Sequence, residues 1–200
     1  MPKNKDFQVE SFNFISKNSA IEYYDTQKWF NTAFSTLNSG ITVKEADLSE
    51  EEKSKLSTLL FSSIDHLRYV SDYDQWFYKL AKAITDGFHK LSFGQSQALI
   101  NNLMKYHFVY FNAGSNVDWN KEFIWLLPFF NFFHVPIDRN VLLNLRETFH
   151  FNVPLSKLSW NKWTWEDQPL YEDIQDALQE ISEENESYHN NRLYFEIKKL

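Results

Sequence analysis

The 200-residue chain has no cysteine, four glycines and five prolines. Without cysteine there is no disulfide scaffold, no thiol nucleophile, and no Cys-ligated zinc or iron–sulfur site. Four glycines are too few and too scattered to write a phosphate loop or a dinucleotide-binding fingerprint, and the nucleophile-elbow motif of serine hydrolases is absent as well. No run of about 18 uncharged apolar residues exists, and the start, MPKNKDFQVE, lacks the apolar core of a signal peptide. No membrane partner and a cytoplasmic location are therefore expected. His134 has no other histidine or carboxylate at ligand spacing, and neither a metal nor another cofactor is expected. What the chain has in plenty is aromatic rings: 19 Phe, 10 Tyr and 7 Trp make up 18% of it, enough to dominate a core. With 43% hydrophobic and 24% charged residues it reads as one globular domain over residues 1–200.

The apolar spacing is helical almost throughout. Ala20 to Leu37 is amphipathic, with Ile21, Tyr24, Trp29, Phe30, Ala33 and Phe34 on one side. Ser49 and Glu52 form a capping box ahead of Leu56, Leu59, Leu60, Ile64 and Leu67. Trp76 to Phe88 repeats the pattern. Ser92 opens a third helix through Leu99, Leu103, His107 and Phe111, with Gly114 as its stop. Asp118 is placed to cap a short helix that breaks near Pro128. Asp138 stands where the N-cap of a helix carrying Val141, Leu142 and Leu145 belongs. A last helix is predicted from about Pro169 to Glu186. With no hairpin signal anywhere, the fold class is all-α, a single compact domain.

Charge is unevenly spread. The net charge of −7 argues against simple non-specific nucleic-acid binding. Yet residues 79–162 carry nine bases against five acids, whereas the acidic C-terminal helical region, residues 163–200, carries three against ten. Acidity therefore restricts a nucleic acid to one face of the molecule rather than excluding it.

The most specific segment spans residues 91–145. It opens with Leu91-Ser92-Phe93-Gly94-Gln95-Ser96-Gln97-Ala98 and closes with His134-Val135-Pro136-Ile137-Asp138-Arg139-Asn140-Val141-Leu142. This resembles the helix-hairpin-helix DNA glycosylase superfamily, whose hairpin reads Leu-Pro-Gly-Val-Gly-x-Lys-x-Ala and is followed by Val-Asp-x-x-Val, the Asp being catalytic. The first hairpin glycine is missing here, and Ser96 occupies the position of the family's lysine. Lys105, one helix face later, makes the arrangement more similar to the archaeal 8-oxoguanine glycosylase branch. The resemblance implies a helix-hairpin-helix fold and a DNA base-excision glycosylase, with lyase activity if a Schiff base forms. It assigns Lys105 as nucleophile and Asp138 as the carboxylate that stabilises positive charge at the sugar carbon. A flipped base would need an aromatic, polar pocket, for which Asn101, His134, Trp119 and Trp125 are candidates. Gly94, Gln95, Ser96 and Gln97 of the hairpin, with Arg139 and Arg146, which share one face of the next helix, are the candidate DNA contacts.

Each candidate has a plainer reading. Asp138 serves as an N-cap with or without catalysis. Lys105 lies opposite the main apolar stripe and reads as a solvated lysine unless other helices cover that second face. His107 reads as a core histidine, and His134 as packed or DNA-facing. Trp160 to Trp165 alternates aromatic and polar residues, either as an extended element presenting indoles or, the favoured alternative, as a loop whose tryptophans plug gaps between helices. Two further function classes stand beside the enzyme. One is a catalytically inactive helix-hairpin-helix DNA-binding module. The other is an acidic helical protein-interaction component of the phage or defence kind, which has a protein partner.

Overall fold

A computed structural model describes residues 25–37, 48–113, 123–185, 191–193 and 195. Every regular element among these residues is helical. Helix α1 (Thr26–Thr36) is capped by Asp25, whose carboxylate accepts from the Lys28 amide, and it buries Trp29, Phe30, Ala33 and Phe34. Helix α2 (Glu50–His66) begins with the expected reciprocal Ser49–Glu52 box, and three glutamates in its first turn complement the helix dipole. Helix α3 (Tyr73–Gly87) is capped by Asp72.

Helix α4 (Phe93–Ala113) is the centre of the domain. Its start is a second reciprocal box: Ser92 Oγ accepts from the Gln95 amide at 3.1 Å, and Gln95 Oε1 accepts from the Ser92 amide at 3.0 Å. Every residue from Phe93 to Tyr110 is buried. A helix buried all round must be enclosed by others, and α1, α3 and the turn at Trp160–Lys162 supply the main contacts. The face that carries Lys105 is therefore covered, so the solvated-lysine reading is corrected. The Gly114 stop and the Asp118 cap lie outside the described residues.

A 3-10 run, Ile124–Phe132, contains Pro128 and leads into an extended segment over residues 133–138. Helix α5 (Arg139–Thr148) follows, with Asp138 as its N-cap. Beyond it, the amides of Phe149 and Phe151 both bond the Leu145 carbonyl, at 3.2 and 3.0 Å, and the chain turns through His150 in the left-handed region at φ 56°. Three 3-10 turns, Leu155–Lys157, Trp160–Lys162 and Trp165–Asp167, precede helix α6 (Gln168–Glu184). The stretch from Trp160 to Trp165 is thus not one extended element: two 3-10 turns are joined by the extended pair Trp163 and Thr164. Trp160 and Trp163 are buried, filling the space beside α4 as large rings between helices do. The buried apolar residues form one core cluster.

Candidate functional site

The segment whose sequence resembles the glycosylase hairpin, residues 91–98, makes interior contacts. The Gly94 amide donates to the Trp163 carbonyl at 3.2 Å, and a Cβ at position 94 would sit 1.8 Å from the Trp160 carbonyl oxygen. Ser92 Oγ donates to the Asn161 carbonyl at 2.6 Å. Gly94, Gln95, Ser96 and Gln97 are all buried, and the Trp160 and Trp163 backbone packs directly on Gly94, so none of them is open to a phosphate. The expected phosphate contacts at these four positions are corrected on that ground.

The two halves of the resemblance do meet. Gln97 binds the backbone of Ile137 twice, its Oε1 accepting from the Ile137 amide at 3.2 Å and its Nε2 donating to the Ile137 carbonyl at 2.9 Å. Gln175 on α6 does the same to Val135, at 2.9 and 2.8 Å. The extended segment has no neighbouring strand among the described residues, and two glutamine amides stand in for one. Asp138 follows directly and is spent as a cap, its carboxylate accepting from the Val141 amide at 2.8 Å. Lys105, 4% exposed, lies eight residues beyond Gln97, which is about 12 Å along the helix axis. Its ammonium is 5.8 Å from the centre of the Tyr106 ring. Among the described residues no ion pair joins Lys105 to Asp138.

Of the pocket candidates, Asn101 and His134 are brought into one chain. Burial pushes the His134 imidazole down to about 4, so it is neutral at physiological pH. The hydrogen bond from His134 is the main cause that holds the Asp74 carboxyl below its usual range. Neutral imidazole has one N–H, and an ionised carboxylate only accepts. Nε2–H therefore donates to Asp74 Oδ1 at 2.9 Å, and Nδ1 accepts from the Tyr171 hydroxyl at 2.9 Å. Tyr171 in turn accepts from Asn101 Nδ2 at 2.8 Å. The chain resembles a carboxylate–histidine–hydroxyl relay, but its hydroxyl is fully buried and only the Asp74 end, with a side chain 62% exposed, reaches solvent. It ties α3, α4, α6 and the extended segment together and offers no nucleophile. His107 is likewise a core residue, pushed down to about 4 by burial.

Trp125 is half-buried beneath the Arg68 guanidinium, 5.1 Å from its ring; Trp119 lies outside the described residues. Arg139 is exposed, and Arg146 is half-buried on the same face of α5. Two surface openings lie among the described residues. One, of about 390 Å³, is lined by Arg146, His150, Asn152 and neighbouring apolar residues. The other, of about 460 Å³, lies between residues 70–74 and the 3-10 run at Pro128, Phe129 and Phe132. Among the described residues no group of three or more His, Asp or Glu could hold a metal ion, and no helix is long and apolar enough to cross a membrane.

Three structural residues were not legible in the sequence: Asp74, Gln175 and the buried Arg192. The Arg192 guanidinium donates to the carbonyls of Phe132, Phe133 and Gln175 at 2.8, 3.0 and 3.3 Å. All three act on partners distant along the chain, which no local spacing announces. Compared with protein-family models, curated proteins and solved structures, the chain matches none.

Proposed function

We propose that the protein is a DNA-binding module that contacts backbone phosphate through the exposed side of α5 and the loop after it, without base excision. One observation carries this reading. Arg146, His150 and Asn152 converge on the 390 Å³ opening, and none of their side chains has a hydrogen-bond or ion-pair partner among the described residues. A partly buried guanidinium with no acceptor lacks the compensation that such groups usually find, and a phosphate oxygen supplies it. Arg139 lies seven residues earlier, about 10 Å along the helix, and is also unpaired among the described residues. The negative end of the α5 dipole opposes an anion here, but it amounts to roughly half a charge against the full charge of Arg146. The Gln97 clamp supports the family resemblance by making its two segments neighbours, although the contact surface moves from the hairpin to α5.

Anisotropy of a labelled DNA duplex, titrated at several salt concentrations, tests the proposal. Binding should weaken with salt, and Arg146→Ala should lower the log–log slope by about one. Salt-insensitive binding, or an Arg139→Ala/Arg146→Ala double variant that binds like wild type, would refute it. Base excision stays as a second reading because Lys105 is the only buried lysine among the described residues, and burial is what a Schiff-base amine requires. Borohydride trapping on duplexes carrying 8-oxoguanine or an abasic site decides it: an adduct lost in Lys105→Gln establishes lyase chemistry, and no adduct removes it.

A further inference from the structure

We propose that the groove between residues 70–74 and 128–132 docks a peptide segment of a partner protein, one that joins an apolar anchor to a lysine or arginine. The groove encloses about 460 Å³, within the range of built ligand sites, and Val70, Tyr73, Pro128, Phe129 and Phe132 form its apolar lining. Phe132, 54% exposed, lines the groove, and Tyr69, 75% exposed, immediately precedes its first lining residue in the chain. An exposed aromatic ring on the wall of an apolar groove offers a partner's apolar side chain a seat.

Charge selects the occupant. Asp72 and Asp74 stand in the groove wall, and neither forms an ion pair with a lysine or arginine among the described residues. Asp72 spends one oxygen on the Gln75 amide, and Asp74 spends one on His134. Each keeps a second oxygen without a hydrogen bond among the described residues. Beneath them Arg192, bonded to backbone carbonyls, supplies one buried positive charge, so the wall keeps a net negative charge of one. A phosphate is repelled by such a rim. A ligand cation over Asp74, with an apolar side chain laid against Phe132, satisfies both halves of the surface.

A random peptide library displayed on phage and selected on the full chain is the test. The expected result is an enriched consensus that pairs an aromatic or aliphatic residue with lysine or arginine. A synthetic peptide of that consensus should bind about fivefold more weakly to Asp74→Asn, which still accepts from His134, and about tenfold more weakly to Phe132→Ser. Replacing the peptide's basic residue with glutamate should abolish the effect of Asp74→Asn by removing most of the binding. The proposal is overturned by a library without enrichment, by an acidic or uncharged consensus, or by a peptide that binds both variants like wild type. Sedimentation that shows a self-associating chain, dispersed by Phe132→Ser, would assign the groove to a second copy and overturn it too.

Discussion

Replacing Gly94 with alanine separates an interior hairpin from a phosphate-facing one. The added methyl would lie 1.8 Å from the Trp160 carbonyl oxygen and 2.9 Å from its carbon. Reaching an ordinary contact of about 3.5 Å requires more than an ångström of movement between α4 and the Trp160–Lys162 turn. That movement strains or breaks two hydrogen bonds, Gly94 amide to Trp163 carbonyl and Ser92 Oγ to Asn161 carbonyl, worth about 1 kcal/mol each. Overpacking adds about 1–3 kcal/mol. Better helix propensity returns about 1 kcal/mol. The expected net loss is therefore about 2–4 kcal/mol, which lowers the melting temperature by about 5–15 °C in a domain of this size. Gly87 is the internal control: it ends α3, and its added methyl would meet nothing within 4 Å. Gly87→Ala should be neutral or stabilise by up to about 1 kcal/mol. Thermal and urea unfolding of the two variants read opposite signs from one chemical change. A Gly94→Ala protein that melts at or above wild type, yet loses DNA affinity, would refute the interior contact and return the hairpin to the DNA.

Three further outcomes are expected. His134 and His107 each fall from 6.5 in the unfolded chain to about 4 when folded, so between those values only the unfolded chain takes up their protons. Stability should be flat above about pH 6.5 and decline as pH drops toward 4, by at most about 3 kcal/mol per histidine; Asp74, whose carboxyl is lowered when folded, adds a loss at still lower pH. A urea midpoint unchanged between about pH 7 and pH 5 would contradict this. Gln97→Leu strands the amide and carbonyl of Ile137 and should lower the unfolding free energy by about 2–5 kcal/mol, measured by urea unfolding. Ser49→Ala breaks the α2 capping box and should lower stability by about 1 kcal/mol, or about 2–4 °C in a thermal melt.

The helices were legible where a local rule decides them. Ser49–Glu52, Ser92 and Asp138 mark helix starts because a cap is satisfied within three residues of itself. Helix α6 was legible in its inward positions Tyr171, Ile174 and Leu178, with ends shifted by one or two residues at the described boundaries. The interior of α4 was not. Its polar residues Gln97, Asn101, Asn102 and Lys105 resemble an exposed face, and burial becomes affordable for the amides only through acceptors elsewhere: Asn102 donates to Thr36 on α1 at 3.1 Å, and Asn101 to Tyr171 on α6. Periodicity reports side-chain polarity and is silent on whether a partner will arrive.

The same limit applies to the segment that carries the glycosylase resemblance. The segment Val135-Pro136-Ile137 is extended, and its buried backbone needs donors and acceptors that a strand would normally provide. Gln175 satisfies both groups of Val135, and Gln97 both groups of Ile137. Pro136, which lacks an N–H, stands between the two clamped residues, where the missing donor leaves nothing unpaired. A sequence that read Pro-Ile-Asp for its carboxylate was reading the end of this clamp. The proline fixes the approach, the glutamines fix the register, and Asp138 is delivered to the first turn of α5 with its oxygen on the Val141 amide. That geometry is sufficient physical reason for this run of residues without catalysis, and Arg139, the next residue outward, is the first exposed side chain after the clamp.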